Sequence, residues 1–161
     1  MASSSKSNAF PSCDEFKRDD KELVFHYLTG KMSGSTVGEG FRYIKDIDVY
    51  KYEPSKLSSL HDFCHGKMYF FSRLDKKYQR GTNVERQVRG GGFWRKTEET
   101  YEDIKATNGK SIARKTLLAY YQKDQASAPV KPQWLMKEYM LLDQNDKMLT
   151  PWTLCVVYEK P

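Results

Sequence analysis

Arginines set beside a glycine run and an aromatic pair form the densest chemical feature of this sequence, RGGGFWRKT at residues 89–97. Consecutive glycines let a backbone turn sharply or approach another surface closely. Phe93 and Trp94 can anchor the strand that follows, and Arg95 and Lys96, as neighbours on an extended chain, then project to opposite faces. A strand edge that leads with arginine suits the guanine acceptors of a DNA major groove. A glycine hairpin with solvated charges is the plain alternative. Upstream, DKKYQRGTNVER at residues 75–86 carries Lys76, Lys77, Arg80 and Arg86, either for phosphate contacts or as an exposed connection. From Lys67 to Lys96 there are nine basic and two acidic side chains, a local charge of +7. The whole chain carries +6, so everything outside that window sums to −1. Tyr69, Phe70, Phe71, Tyr78, Phe93 and Trp94 interleave with the charges, which predicts folded strands rather than a loose basic tail. A folded basic surface of this density favours a polyanion partner.

Other chemistry is poorly supported. HDFCH (61–65) brings His61, Cys64 and His65 together, but structural zinc wants four ligands, usually in two separated pairs. Cys13 and Cys155 lie far off in sequence, so the segment reads as a helix end with surface histidines and no metal or other cofactor is expected. The three cysteines are too few and too scattered for a disulfide framework, which favours a reducing, intracellular compartment. No nucleophile elbow, P-loop or dinucleotide-binding glycine pattern is present, so the chain is not expected to be an enzyme. The carboxylates of EETYED (98–103) read as a charged loop. No apolar stretch approaches the roughly 18 residues of a spanning helix, and the N-terminus lacks the apolar segment of a signal peptide.

The elements that must position these residues fall into two groups. Residues 1–13 form a Ser-rich tail, and residues 14–161 form one domain. Asp19 and Glu22 have capping-box spacing, and Leu23, Val24, Tyr27 and Leu28 share a helical face. A helix is therefore predicted from about Asp20 to Leu28, ended by Thr29 and Gly30, with a flexible loop over GKMSGSTVGEG (30–40). Ile44, Ile47 and Val49 suggest an extended segment. Glu53-Pro54 opens a short second helix, turned inward by Leu57 and Leu60. From Met68 onward the pattern is β: KMYFFS, GGFWRKT, KTLLAYY, QWLMKEYML and TLCVVYE are strand-length runs separated by turns. Helices first and strands afterwards predict an α+β domain with an antiparallel sheet.

The order of these blocks resembles the NAC domain of plant transcription factors over roughly Phe16 to Lys160. DDKELVFHYL (19–28) is similar to that family's first block, and IKDIDVYKYEPSKL (44–57) to its second. Residues 68–97 resemble the third, which usually reads W-Y-F-F-S, K-Y, G-S/T-R-P-N-R and G-Y-W-K-A-T-G. RKTLLAYY and QWLMKEYML resemble the fourth, and WTLCVVYEK the closing W-x-L-C-x-V-Y-x-K. The resemblance implies a twisted antiparallel sheet packed between an N-terminal helix and a short second one. It also implies a nuclear transcription regulator that binds double-stranded DNA, often at a C-G-T core, by lodging a strand edge in the major groove. By position, Arg95 matches the lysine after the tryptophan and Arg86 the second arginine of R-P-N-R. Arg114, Lys115 and Lys123 match basic residues of the fourth block. With Lys76, Lys77, Arg80 and Lys96 they make up the expected DNA-binding set.

The departures from the family pattern carry their own expectations. Asn83 and Val84 replace the first arginine and the proline of R-P-N-R, while Lys96 and Glu98 replace alanine and glycine of W-K-A-T-G. Glu98 and Glu99 put negative charge beside the reading strand. The alternative is an interaction module that keeps the fold, no longer binds DNA and acts by heterodimerising with other NAC proteins. The family usually pairs through an arginine–glutamate bridge near the N-terminus. Here Glu15 stands in the arginine position and Glu22 in that of the glutamate, flanking Phe16, so a homodimer through Glu15, Phe16 and Glu22 is expected to be weak. A chain ending at Pro161 leaves no room for a separate activation region, which suggests a repressor or competitor, an isolated domain being the other reading.

Overall fold

The computed structural model describes residues 13, 16–73, 86–88, 91–97, 102–122 and 133–160. Its first helix, α1, runs over residues 20–33 in three continuous stretches: an α-helical turn Asp20–Glu22, a wider π-wound middle Leu23–Leu28 and an α-helical end Thr29–Ser33. The Asp19 carboxylate caps it by accepting the Glu22 N–H at 2.9 Å. Leu23, Val24, Tyr27 and Leu28 are buried as their spacing predicts.

The helix is longer than expected, because Gly30 is not its stop. A Cβ at Gly30 would lie 2.6 Å from the Ser35 carbonyl oxygen and 2.9 Å from the Phe41 ring, so this glycine makes room for the chain folding back. The stop is Gly34, with φ of 82° in the left-handed region that favours glycine.

A 3-10 turn at Glu39–Tyr43 leads into β1 (Ile44–Asp46). The extended segment ends there, short of Val49, which lies in a second 3-10 turn, Val49–Lys51. The Asp48 carboxylate accepts the Tyr50 N–H and the Ser72 hydroxyl oxygen accepts the Val49 N–H, closing that turn against the sheet. The second helix, α2 (Pro54–Leu57), starts on its proline and buries Leu57 completely. Then follow β2 (Lys67–Arg73), β3 (Arg86–Gln87), β4 (Phe93–Lys96), β5 (Glu102–Lys105), β6 (Ser111–Tyr121), β7 (Trp134–Leu142) and β8 (Met148–Glu159). Residues 102 and 103 thus stand in a strand and not in the charged loop expected for EETYED.

The strands form one eight-stranded sheet in the order β1-β2-β8-β7-β6-β4-β3, with β5 beside β4 on the same edge of β6. Every pairing is antiparallel except β1 with β2, which is parallel. The sheet is therefore mixed where an antiparallel one was expected. The cause is the connection: residues 47–66 cross over through α2, and a tight hairpin cannot join parallel strands.

Alternation divides the core in two. Tyr69, Phe71, Tyr139, Leu154 and Val156 face α1, with Phe16, Leu23, Tyr27 and Leu28 packed on them. Met68, Phe70, Trp94, Leu118, Met136, Cys155 and Val157 face the other way, onto Val49, Tyr50 and Leu57. The sheet is thus layered between the long helix and the short one, as the α+β reading required.

Two readings of the small chemical residues are corrected. His61 is buried, not on the surface, and its Nε2–H donates to the Tyr43 carbonyl at 3.1 Å. Desolvation holds its pKa below the ordinary value, with only partial opposition from that hydrogen bond. Cys13 and Cys64 are disulfide-bonded across 51 residues. The pairing was illegible because it depends on the N-terminal segment folding back beside β2, where Arg18 Nη1 donates to the Cys13 and Phe16 carbonyls at 3.1 and 2.9 Å. His65 lies within 4.8 Å of both sulfurs, but these are bonded to each other.

Candidate nucleic-acid interface

Glycine and aromatics set the position of β4. Gly91 turns with φ of 111°, and a Cβ on Gly92 would lie 1.8 Å from the Tyr120 hydroxyl oxygen. The bare backbone at Gly92 therefore lets β4 settle against β6, pairing Phe93 with Tyr121, Trp94 with Tyr120, Arg95 with Ala119 and Lys96 with Leu118. Trp94 is fully buried on the α2 side. Arg95 consequently emerges on the α1 side, and Lys96 turns to the α2 side with Trp94.

Arg95 is exposed but braced. Its guanidinium lies 4.8 Å from the Phe93 ring centroid and 5.8 Å from that of Tyr121, and the two rings stack at 5.8 Å. Aromatic faces attract a cation and restrict a long side chain. Among the described residues only the two-residue β3 lies outside β4, and there Arg86 pairs with Trp94 and so stands one register step from Arg95. Among the described strands, an arginine-bearing strand is separated from the open edge of the sheet by a single short neighbour.

The other expected DNA contacts are distributed differently. Arg114 and Lys115 stand four or five residues along β6 from the partner of Arg95 and are committed to structure. Arg114 pairs with Asp103 at 3.0 Å, and that hydrogen bond holds the Asp103 carboxyl below the usual carboxylate range. Lys115 donates to Asp20 at 2.9 Å and reaches Glu102 at 3.7 Å. Burial alone would raise the Asp20 carboxyl, but hydrogen bonds from Tyr139 and Lys115 bring its pKa below the ordinary value. These two bases therefore fasten β5 and α1 to β6. Lys76, Lys77, Arg80 and Lys123 lie outside the described residues, as do Glu98, Glu99, Asn83 and Val84. Of the expected dimer residues, Glu15 also lies outside them. Phe16 is 1% exposed and stacks on Tyr43 at 5.2 Å, so it serves the core and not an outer surface, while Glu22 is half-buried on α1.

The register also shows cations that the sequence reading passed over. Arg95, Ala119, Leu135, Tyr158 and Lys67 form one row across five strands on a single face. At about 4.8 Å per strand the row spans roughly 19 Å. Lys67 and Lys137 both stand over the Tyr158 ring, at 5.2 and 5.8 Å from its centroid. Lys137 sits in QWLMKEYML, read only as a strand and block match, and lies outside the basic window. Only its parity with Arg95, read through two strand pairings, reveals the shared face.

Comparison with known proteins agrees with this architecture. A family model described as No apical meristem (NAM) protein matches residues 11–141. The chain is 33% identical to NAC domain-containing protein 72 of Arabidopsis thaliana over 156 residues, covering 94% of this chain and 50% of that protein. It is 33% identical to NAC domain-containing protein 48 of Oryza sativa subsp. japonica over 152 residues, covering 90% and 48%. With NAC domain-containing protein 7 of Arabidopsis thaliana the identity is 38% over 152 residues, covering 90% and 36%. The chain thus spans half the length of these curated relatives or less. Among the described residues no helix is long and apolar enough to cross a membrane. Sequence blocks, a sheet layered between a long and a short helix, and these matches together make this chain a member of the plant NAC, or No apical meristem, family of transcription regulators.

Proposed function

We propose that this domain binds duplex DNA in the nucleus as the recognition part of a transcription regulator, with β4 presented to the major groove. The observation that carries the reading is Arg95, an exposed guanidinium braced by Phe93 and Tyr121 on a strand one short neighbour from the sheet edge. A braced arginine loses little freedom on binding and offers a planar fork to guanine O6 and N7. Arg86, one register step away, and Lys96, on the other face of β4, supplement it. Lys76, Lys77 and Arg80 of the basic window supply phosphate contacts, and Lys123 adds another. Most of the affinity then comes from the backbone and falls with salt. Arg114 and Lys115 contribute less than their position in the family block implies, because each is held by a carboxylate.

Titration with C-G-T duplexes and with scrambled duplexes at several salt concentrations tests this reading. Preference for C-G-T is expected in the wild type and lost in Arg95→Ala, while Lys77→Ala keeps the preference and lowers the salt slope by about 1. Binding with no preference in the wild type, together with capture of other NAC domains, would instead favour the interaction module. Like charges at Glu15 and Glu22 support a weak homodimer; a tight homodimer by light scattering at micromolar concentration would overturn that part.

A further inference from the structure

Beside the N-terminal end of α1 lies a cavity of about 250 Å³ whose lining includes Arg18, His65, Lys67, Lys137, Tyr69 and Tyr139. No carboxylate lines it among the described residues. The Lys67 and Lys137 ammoniums share the Tyr158 ring and so lie within 11 Å of each other. Neither has a hydrogen-bond or ion-pair partner among the described residues. Arg18 is anchored from behind, because Nη1 is taken by the Cys13 and Phe16 carbonyls while Nε and Nη2 have no partner among the described residues. Two acids bear on Lys137: Asp20, whose oxygens are occupied by Tyr139 and Lys115, and Glu102, which lies 3.7 Å from Lys115.

We infer that this cavity is an anion site that takes a phosphate group, held by Arg18, Lys67 and Lys137. Three cations lining one cavity with no carboxylate in its wall repel one another unless an anion joins them, and an arginine fork with two point-charge lysines matches the several oxygens of a phosphate. The volume falls below the roughly 300–1,000 Å³ of pockets for drug-sized molecules, so the ligand is one phosphate group or the phosphorylated end of something larger. Desolvation already pushes the Lys137 ammonium toward its neutral form, and Lys67 and Lys115 push it further; a bound anion reverses both effects. The site stands at the far end of the row from Arg95, so it adds to the DNA reading and does not depend on it.

Isothermal titration of the whole chain with pyrophosphate, against potassium chloride at matched ionic strength, tests the inference. Saturable binding is expected in the wild type and in Arg95→Ala. Lys67→Gln and Lys137→Gln should each weaken it about tenfold or more, and Lys137→Arg should restore it. Lys137→Gln should melt at or above the wild-type temperature in phosphate-free buffer, since it relieves repulsion, whereas a merely structural lysine would lower the melt. Absence of saturable binding, equal heats from chloride, or unchanged affinity in Lys137→Gln would overturn the assignment. The salt slope for DNA separates the two sources of phosphate. A slope lowered by about 1 in Lys137→Gln assigns the group to the DNA backbone, and an unchanged slope assigns it to a soluble phosphorylated compound.

Discussion

Replacing Asp20 by asparagine should cost the fold about 2 kcal/mol at neutral pH and almost nothing in strong acid. The carboxylate accepts the Tyr139 hydroxyl at 2.6 Å and the Lys115 ammonium at 2.9 Å, so it joins the first turn of α1 to β6 and β7. Asparagine keeps the shape and one acceptor oxygen. It loses the charge that lifts each bond from about 1 kcal/mol to the 1.5–3 kcal/mol of a charge-assisted one. It also loses the favourable placement of an anion at a helix N-terminus, about 0.3–1 kcal/mol. Asp20 keeps a third of its side-chain exposure, and solvent screening trims the total to about 2 kcal/mol. For a chain of this size that corresponds to roughly 4–8 °C in Tm. Because the folded pKa lies below the ordinary 3.8, the stabilisation is complete above that pH and is lost as pH falls through the folded value. Urea unfolding followed by tryptophan fluorescence, for wild type and Asp20→Asn between pH 7 and pH 2, should show two curves that converge at the acid end. A cost under 0.5 kcal/mol at pH 7, or a gap that does not narrow as the pH falls toward 2, would show that this triad does not hold α1 to the sheet. Should Lys115→Ala then also lower the salt slope for DNA, the assignment of Lys115 to structure would fall.

Gly92→Ala should destabilise by about 2–3 kcal/mol, since its Cβ would lie 1.8 Å from the Tyr120 hydroxyl oxygen and 2.4 Å from the ring carbon bearing it. Tyr120→Val in the same chain should recover part of that loss, and thermal melts of the single and double variants would read it. Thiol titration should find no reactive cysteine in the native protein, one in denaturant and three after reduction, because Cys155 is buried with its pKa pushed up to about 12, chiefly by desolvation. Reduction, or Cys64→Ser, opens a loop closed across 51 residues and should cost about 2–4 kcal/mol. An unchanged melting temperature after reduction would show that the link does not form in solution.

Much of this architecture was legible because local signals and burial agree. Asp19 with Glu22 marks the start of α1, Pro54 that of α2, and the apolar runs mark the four long strands and the short β4. The failures are non-local. Gly30 resembles a helix stop in sequence, yet it is a glycine for the sake of Phe41 and Ser35, which return to it later in the chain. Cys13 and Cys64 meet only after the N-terminal segment has folded back. Arg114 and Lys115 look like free bases until strand register sets Asp103 and Glu102 beside them and packing brings in Asp20. Residue type established that they are basic, and pairing decides whether that charge remains available.

The same reasoning explains how a near-neutral scaffold presents a basic face. On the α1 side of the sheet, one parity of β6 and β7 supplies Ala113, Tyr139 and Leu141 to the core beneath the helix. Further along the same strands that parity supplies Lys137, which lines the cavity beside the start of α1, and the Ala119 that pairs with Arg95. Aromatic neighbours, Tyr121 and Tyr158, offer their ring faces to these cations. On the opposite parity Leu118 and Met136 are closed beneath the short-helix side, and the buried Glu138 carboxylate that shares this parity is satisfied by the Tyr50 hydroxyl. A cation moved from Arg95 to the Trp94 position, or from Lys137 to the Met136 position, would enter the apolar layer, where an unpaired charge is strongly disfavoured. The positive surface is thus tied to strand register. A one-residue slip of β4 would remove Arg95 from the shared face and expose Trp94, so the glycine that seats β4 against Tyr120 is as much a determinant of the interface as the arginine itself.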